Sequence, residues 1–355
     1  MNKARVKLYK PFFLSFKAYM LNEKFRKSLM ETGFEDILGQ SRVKTQLKSA
    51  LLMERHVILV GQPGIGKTTL AKNVAKLMPE KVVCDCSFNC SPDNPCCPEC
   101  LEKKKKKEKI KTKIMKGKEL FVRVQGSPDL TAEDLIGDID PVKALKFGPL
   151  SIEAFTPGKI FKANNGILFF DEINRCSEKL QNALLQVLEE QKITIGSYSF
   201  DFDVYFIFIG TMNPDDKSTE PLSDVFLDRF DLIYMEYPET TALEVEIVRK
   251  SGKQILEFPE PLLFNVVQFI RDLRADNDVE KKPSVRASIG LYERAQSNAL
   301  INGRSKVTLK DVQEVIVSVL SHRLSLKPSV KFLKSPEDFV KEEFEKFLSQ
   351  TGDYR

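Results

Sequence analysis

The chain has 355 residues, 42% of them hydrophobic, enough for one large or two ordinary domains with a sizeable core. No stretch reaches the roughly 18 apolar residues of a membrane span, which excludes a helix-spanning membrane protein. The formal net charge is +5, yet residues 103 to 118 alone hold ten lysines against one glutamate. The rest of the chain is therefore net acidic and offers no broad basic surface.

Residues 1 to 33 read as a basic, partly helical extension with Lys3, Arg5, Lys7 and Lys10, followed by Phe12, Phe13 and Phe16. Lys17 breaks the apolar run and no small-residue cleavage site follows, so no signal peptide is expected and a cytoplasmic location is. The three phenylalanines suit docking on a neighbouring subunit or packing on the chain's own core.

Phe34 to Gln40 lead into a helix expected over 41 to 53, and an apolar strand over 56 to 61. Then comes Gly61-Gln62-Pro63-Gly64-Ile65-Gly66-Lys67-Thr68, with Thr69 opening an amphipathic helix. A strand, the spacing G-x-x-x-x-G-K-T and a helix are the context of a phosphate-binding loop. Glycines let backbone N–H groups curl around a polyphosphate, and the helix N-terminus adds its dipole. Lys67 would reach the outer phosphates and Thr68 would hold Mg²⁺. The chain is thus expected to bind ATP.

Residues 82 to 118 show no clear period and read as an insertion. Phe121 to Val124 is an expected strand, and residues 140 to 162 suggest a hairpin inside or beside a helix. Gly166 to Phe170 is a buried-strand pattern that stops at Asp171-Glu172. There Asp171 would hold the metal through water, and Glu172 would orient and polarise the attacking water. A helix is expected over 177 to 190, a hairpin near 193 to 199 and a strand over 204 to 209. After that strand, Asn213 can reach a γ-phosphate. Arg229 follows a helical segment and could act on a neighbouring subunit's nucleotide. A last strand is expected at 232 to 235, and the pattern is helical from 241 onward, with Arg286 in the first turn of one helix.

Strands alternating with helices imply an α/β fold, a parallel sheet flanked by helices, with a C-terminal all-helical lid. The expected division is a basic extension (1–33), a nucleotide-binding domain (34–240), a helical lid (241–335) and a helical tail (336–355).

Together these pieces resemble an AAA+ ATPase over roughly residues 34 to 325. Gly61 to Thr68 matches Walker A and Ile167 to Glu172 matches Walker B. Asn213 matches sensor 1, Arg229 the arginine finger, and Arg286 sensor 2, while Gly39-Gln40 matches the segment beside the adenine. Within AAA+, the chain is similar to the magnesium-chelatase I subunit and its MoxR relatives. Asp138 to Leu145 and Phe155 to Gly166 carry that likeness before Walker B, and Val307 to Leu324 carries it in the lid. Residues 192 to 204 fit the second hairpin of that clade. The resemblance implies a homo-hexameric ring with ATP between subunits. It further implies remodelling of a protein partner, typically one with a von Willebrand A domain, in metal or cofactor insertion or complex maturation. Replicative helicases share both hairpins, so a DNA-directed motor is the alternative. They carry a large N-terminal DNA-binding barrel, whereas some 33 residues precede the core here.

Six of the seven cysteines fall between Cys84 and Cys100. In an intracellular chain such clustering points to metal before disulfides. Cys97-x-x-Cys100 with Cys86 and Cys90 suits tetrahedral Zn²⁺, and Cys84 and Cys96 are further candidates. An iron–sulfur cluster and disulfides stay open. Cys176 reads as a helix-start residue. The lysine run reads as a solvated segment, with contact to nucleic acid or an acidic partner as the other reading. A zinc-stabilised nucleic-acid-binding module would rest on residues 84 to 118 alone.

Overall fold

In the computed structural model, residues 23–148, 151–194, 201–216 and 222–351 are described. The sheet strands are β1 (His56–Val60), β2 (Phe121–Gln125), β3 (Gly166–Asp171), β4 (Phe206–Met212) and β5 (Phe230–Tyr234). They lie in the order β5-β1-β4-β3-β2, and every neighbouring pair is parallel.

Alternation of side chains explains why these strands are almost wholly apolar. Val57 and Leu59 of β1, with Ile167 and Phe169 of β3, join one core. Helices Ser41–Leu52 and Lys67–Leu77 cover it through Leu47, Leu51, Leu70 and Val74. Ile58 and Val60, with Leu168 and Phe170, join the opposite core, closed by Leu180, Leu184 and Val187 of helix Glu178–Glu190. Helix Glu23–Glu31 also buries Phe25 and Leu29 in the first of these cores, so the packed unit begins before residue 34.

Two antiparallel pairs leave this layer. Gly137–Ile139 pairs with Phe155–Pro157 and encloses helix Pro141–Phe147, which Asp140 caps by accepting from the amides of Val142 and Lys143. Lys192–Thr194 pairs with Asp201–Asp203, and the expected hairpin tip between them lies outside the described residues. So do Phe12, Phe13 and Phe16 of the expected extension.

The segment read as an aperiodic insertion is ordered. Lys81–Cys84 pairs antiparallel with Thr112–Met115, and helix Pro98–Lys105 lies between them. Strands of four residues are too short to leave a clear period.

The C-terminal part packs helices Thr241–Ser251, Glu260–Ala275, Val285–Ile301, Leu309–Leu320 and Pro336–Thr351 around one core. One difference from the all-helical expectation appears. Val279–Lys281 and Ser325–Leu326 form a small antiparallel ribbon. Helix Pro336–Thr351, expected as a tail, buries Phe339, Val340 and Phe344 in that same core. Among the described residues no helix is long and apolar enough to cross a membrane.

Candidate active site

A cleft of about 890 Å³ opens where the C-terminal edge of the sheet meets the helical part. Pro63 to Thr69 form its floor; Gln40, Asp171, Glu172 and Asn213 line its sides; and Arg286 closes on it from the lid. Gly61 and Gln62 line an adjoining recess beside Pro214. Gly39 stands just behind the wall, where a Cβ would lie 2.7 Å from Leu243, a lid residue that lines the cleft.

The loop reaches the lid through Gly64. Its φ of +81° favours glycine, and a Cβ there would sit 2.8 Å from the Arg286 side chain. Helix Lys67–Leu77 begins at Gly66 without a side-chain cap, so its first-turn N–H groups are available to an anion at the cleft floor. Lys67 Nζ donates to the carbonyl oxygens of Gly61 and Gln62, the latter at 2.9 Å. Burial pulls the Lys67 ammonium down to about 8; Asp171 and Glu172 oppose that shift and Arg286 adds to it.

The acidic pair is held from three directions. Thr211 Oγ1 donates to Asp171 at 2.6 Å and accepts the Glu172 amide at 2.9 Å. Arg123 on β2 donates to the other Asp171 oxygen at 2.6 Å. Gln125 Nε2 donates to Glu172 at 2.9 Å, and Arg175 pairs with the same oxygen at 3.1 Å. Glu172 occupies the left-handed region with φ +57°, which turns the chain away from β3 at once. Asn213 is fixed by the Asp215 amide at 3.3 Å on its side chain and by Asn174 at 3.3 Å on its carbonyl.

Arg123, Gln125, Arg175 and Thr211 were not identified from sequence. Each had a weak signal, being polar in or beside an apolar strand end. Register supplies the rest, since Gln125 lies directly beside Asp171 across the β2–β3 pairing.

Arg229 is not among the residues that line the cleft. It bonds Glu189 through Nε at 2.6 Å and the Val225 carbonyl at 3.0 Å, with Asp228 at 3.5 Å. Asp231, two residues further on, pairs with Arg55.

A buried ion pair supports Arg286 from behind. Arg274 meets Glu244 in a two-pronged contact of 2.6 and 2.7 Å, and Arg274 Nε donates to the Pro283 carbonyl at 2.7 Å. Ser288 donates to Glu244 at 2.6 Å. The turn entering helix Val285–Ile301 is thereby fixed three residues before Arg286.

The cysteines gather away from the cleft. The Sγ atoms of Cys86, Cys90, Cys97 and Cys100 lie within 4.8 Å of one another. Cys84 and Cys96 are buried beside them, and burial pushes the Cys84 thiol up to about 12. Hydrogen bonds from Cys90 and Cys97 hold the Cys86 thiol below the ordinary thiol range.

Three family models match successive stretches. They are the magnesium chelatase subunit ChlI over residues 33–91, the ATPase family associated with various cellular activities over 101–232, and the AAA lid domain over 271–343. A solved complex between subunits BchI and BchD of magnesium chelatase is similar at 22% identity and a TM-score of 0.45. It covers 84% of this chain and 98% of that one. The magnesium-chelatase subunit ChlI homolog of Methanocaldococcus jannaschii is 29% identical, over 89% of this chain and 90% of its own length. Chaperone MoxR1 of Mycobacterium tuberculosis is 28% identical, over 82% of this chain and 73% of its own length. With the phosphate loop, the 5-1-4-3-2 parallel sheet and the lid in one chain, the protein is an AAA+ ATPase of the magnesium-chelatase ChlI/MoxR type.

Proposed function

We propose that the protein is a ring motor, hexameric in its working form, that uses ATP hydrolysis to remodel a protein partner. The division of the site carries this reading. Lys67, Thr68, Asp171, Glu172, Asn213 and Arg286 line one cleft, whereas Arg229 does not. A nucleotide in that cleft therefore meets an Arg229 only if a second copy presents its own. In this reading the uncapped helix start and Lys67 hold the phosphates. Thr68 and Asp171 hold Mg²⁺, which neutralises phosphate charge when bound. Glu172 polarises the attacking water, Asn213 orients it, and Arg286 brings the lid onto the nucleotide. Gly39 and Gln40 would flank the base.

The work is done by the two hairpin insertions. Helix Pro141–Phe147 carries Val142 and Leu145 at 76% and 92% exposure, an apolar display suited to a polypeptide. A partner with a von Willebrand A domain, and a role in metal or cofactor insertion or complex maturation, belong to the proposal and rest on the family resemblance alone. The cysteines Cys86, Cys90, Cys97 and Cys100 are read as a zinc site. Affinity capture with the Glu172→Gln chain, locked by ATP, should recover such a partner, and that partner should stimulate the wild-type ATPase. Stimulation by DNA with strand separation, and none by protein, would overturn this reading.

A further inference from the structure

Of the three residues between Cys86 and Cys90, Phe88 and Asn89 also make contacts beyond the cysteine cluster. The Phe88 ring meets Phe161 edge-on at 4.9 Å, stacks on Phe202 at 5.5 Å with 4° between the planes, and stacks on Phe155 at 6.2 Å. Phe155 belongs to the base of the first insertion and Phe161 to the short helix Lys159–Lys162 after it. Phe202 belongs to the returning strand of the second hairpin. One ring thus joins the feet of both insertions.

Hydrogen bonds repeat the connection. Asn164 Nδ2 donates to the Phe88 carbonyl at 3.1 Å, Asn165 Nδ2 to the Asn89 carbonyl at 3.0 Å, and Asn89 Nδ2 to the Lys162 carbonyl at 3.0 Å. Asn164 also accepts the Tyr205 amide at 3.0 Å, and the Asn165 amide donates to the Tyr205 carbonyl at 2.6 Å. Asn89, Asn164 and Asn165 are all buried, so each amide depends on these partners. Asn165 leads directly into β3, whose far end is Asp171.

We propose that one zinc ion bound by Cys86, Cys90, Cys97 and Cys100 makes residues 86–90 a fixed brace that clamps the bases of both hairpin insertions to the start of β3. This rests on the zinc reading above. Zn–S bonds of about 2.3 Å at tetrahedral angles place sulfurs about 3.8 Å apart, and the four Sγ atoms already lie within 4.8 Å. Backbone amides aim at the sulfurs. Cys97 N reaches Cys90 Sγ at 3.3 Å, Cys96 N reaches the same atom at 3.4 Å, and Cys100 N reaches Cys97 Sγ at 3.5 Å. Such donors stabilise thiolate charge and orient metal ligands. Cys90 and Cys96 stand 3.4 Å apart, well beyond a disulfide bond. Between Cys84 and Cys100 Phe88 is the one large apolar side chain besides the cysteines, and the small core there consists of cysteines with Phe88 and Ile110 packed on it. Bound metal, rather than hydrophobic burial, is what would hold such a loop in shape.

The test uses the purified full chain. Elemental analysis should find one zinc per chain, and cobalt(II) should give the spectrum of a tetrahedral tetrathiolate; both should vanish in the double variant C97S/C100S. Hydrogen exchange at residues 155–162 and 201–205 should speed up at least about tenfold in that variant. Phe88→Ala should keep its zinc and show the same acceleration, and it carries the comparison should the double variant not fold. A wild-type chain without zinc, or with iron instead, overturns the zinc reading. Zinc present with unchanged exchange in Phe88→Ala overturns the brace and leaves the zinc reading standing.

Discussion

Thr211 donates a hydrogen bond from its hydroxyl to the Asp171 carboxylate at 2.6 Å and accepts one from the Glu172 amide at 2.9 Å. One fully buried side chain on β4 therefore positions both acids at the end of β3. Replacing it with valine keeps the shape and removes both bonds. Thr211→Val should lower kcat about 10- to 100-fold, the scale of small misplacements of reacting groups, with nucleotide affinity nearly unchanged. Steady-state turnover alongside nucleotide binding checks this. Unchanged kcat would show that the neighbouring Arg123 and Gln125 suffice.

Glu172→Gln should retain ATP and lose turnover. The amide fits the same space but cannot take up a proton from water. Single-turnover hydrolysis is the measurement, and persistent turnover would mean that another group polarises the water.

Arg229→Ala should lose turnover in the assembled ring while each subunit still binds ATP. Mixing Arg229→Ala with Glu172→Gln subunits creates interfaces where an intact Glu172 faces an intact Arg229. On the proposed function the arginine of one copy acts on the nucleotide of the next, so activity should return in the mixture. Two inactive variants that stay inactive when mixed would place Arg229 outside the neighbour's site.

Lys67 gives a pH signature. Burial lowers its pKa from 10.5 to about 8 in the free protein, and a bound polyphosphate favours the charged ammonium. Nucleotide affinity should be flat below pH 8 and weaken as pH rises through it, because binding must then take up a proton. The stability of the free protein should follow the opposite trend. The unfolded state holds the Lys67 proton up to its higher pKa, so this group's contribution to stability rises between about pH 8 and 10.5. Calorimetric titrations from pH 7 to 9 test the first trend, and Lys67→Met should abolish it.

In the lid, Glu244 is fully buried and Arg274 nearly so. Arg274→Ala leaves a carboxylate in the core with Ser288 and the more distant Arg271 as partners, at a cost of about 3 to 5 kcal/mol. Denaturant unfolding measures the loss. Because Arg274 also holds the Pro283 carbonyl, the variant should weaken the lid's response to nucleotide through Arg286.

The phosphate loop was legible because its residues are contiguous. Gly61 to Thr68 close a short turn whose φ angles and amide directions are set locally, so spacing alone carries the chemistry. Asp171 and Glu172 were legible because they end an unbroken apolar run. The groups that hold them were not. Arg123 and Gln125 lie on β2 and Thr211 on β4, and only the pairing of both strands with β3 brings them to the two carboxylates. The lid ribbon went unseen because two or three residues show no period.

The sequence by itself determined a nucleotide loop, a pair of acids at a strand end, alternating strands and helices, and a knot of cysteines. Local backbone preference and the two-residue alternation of buried strands are short-range effects, readable from neighbours in the chain. The tertiary structure decided what those pieces face. It set Gly64 against Arg286, turned Arg229 toward Glu189 and away from its own cleft, and wedged Phe88 between both insertions. Those relations depend on packing between residues far apart in sequence, where close contact follows from the fold as a whole and leaves no local pattern.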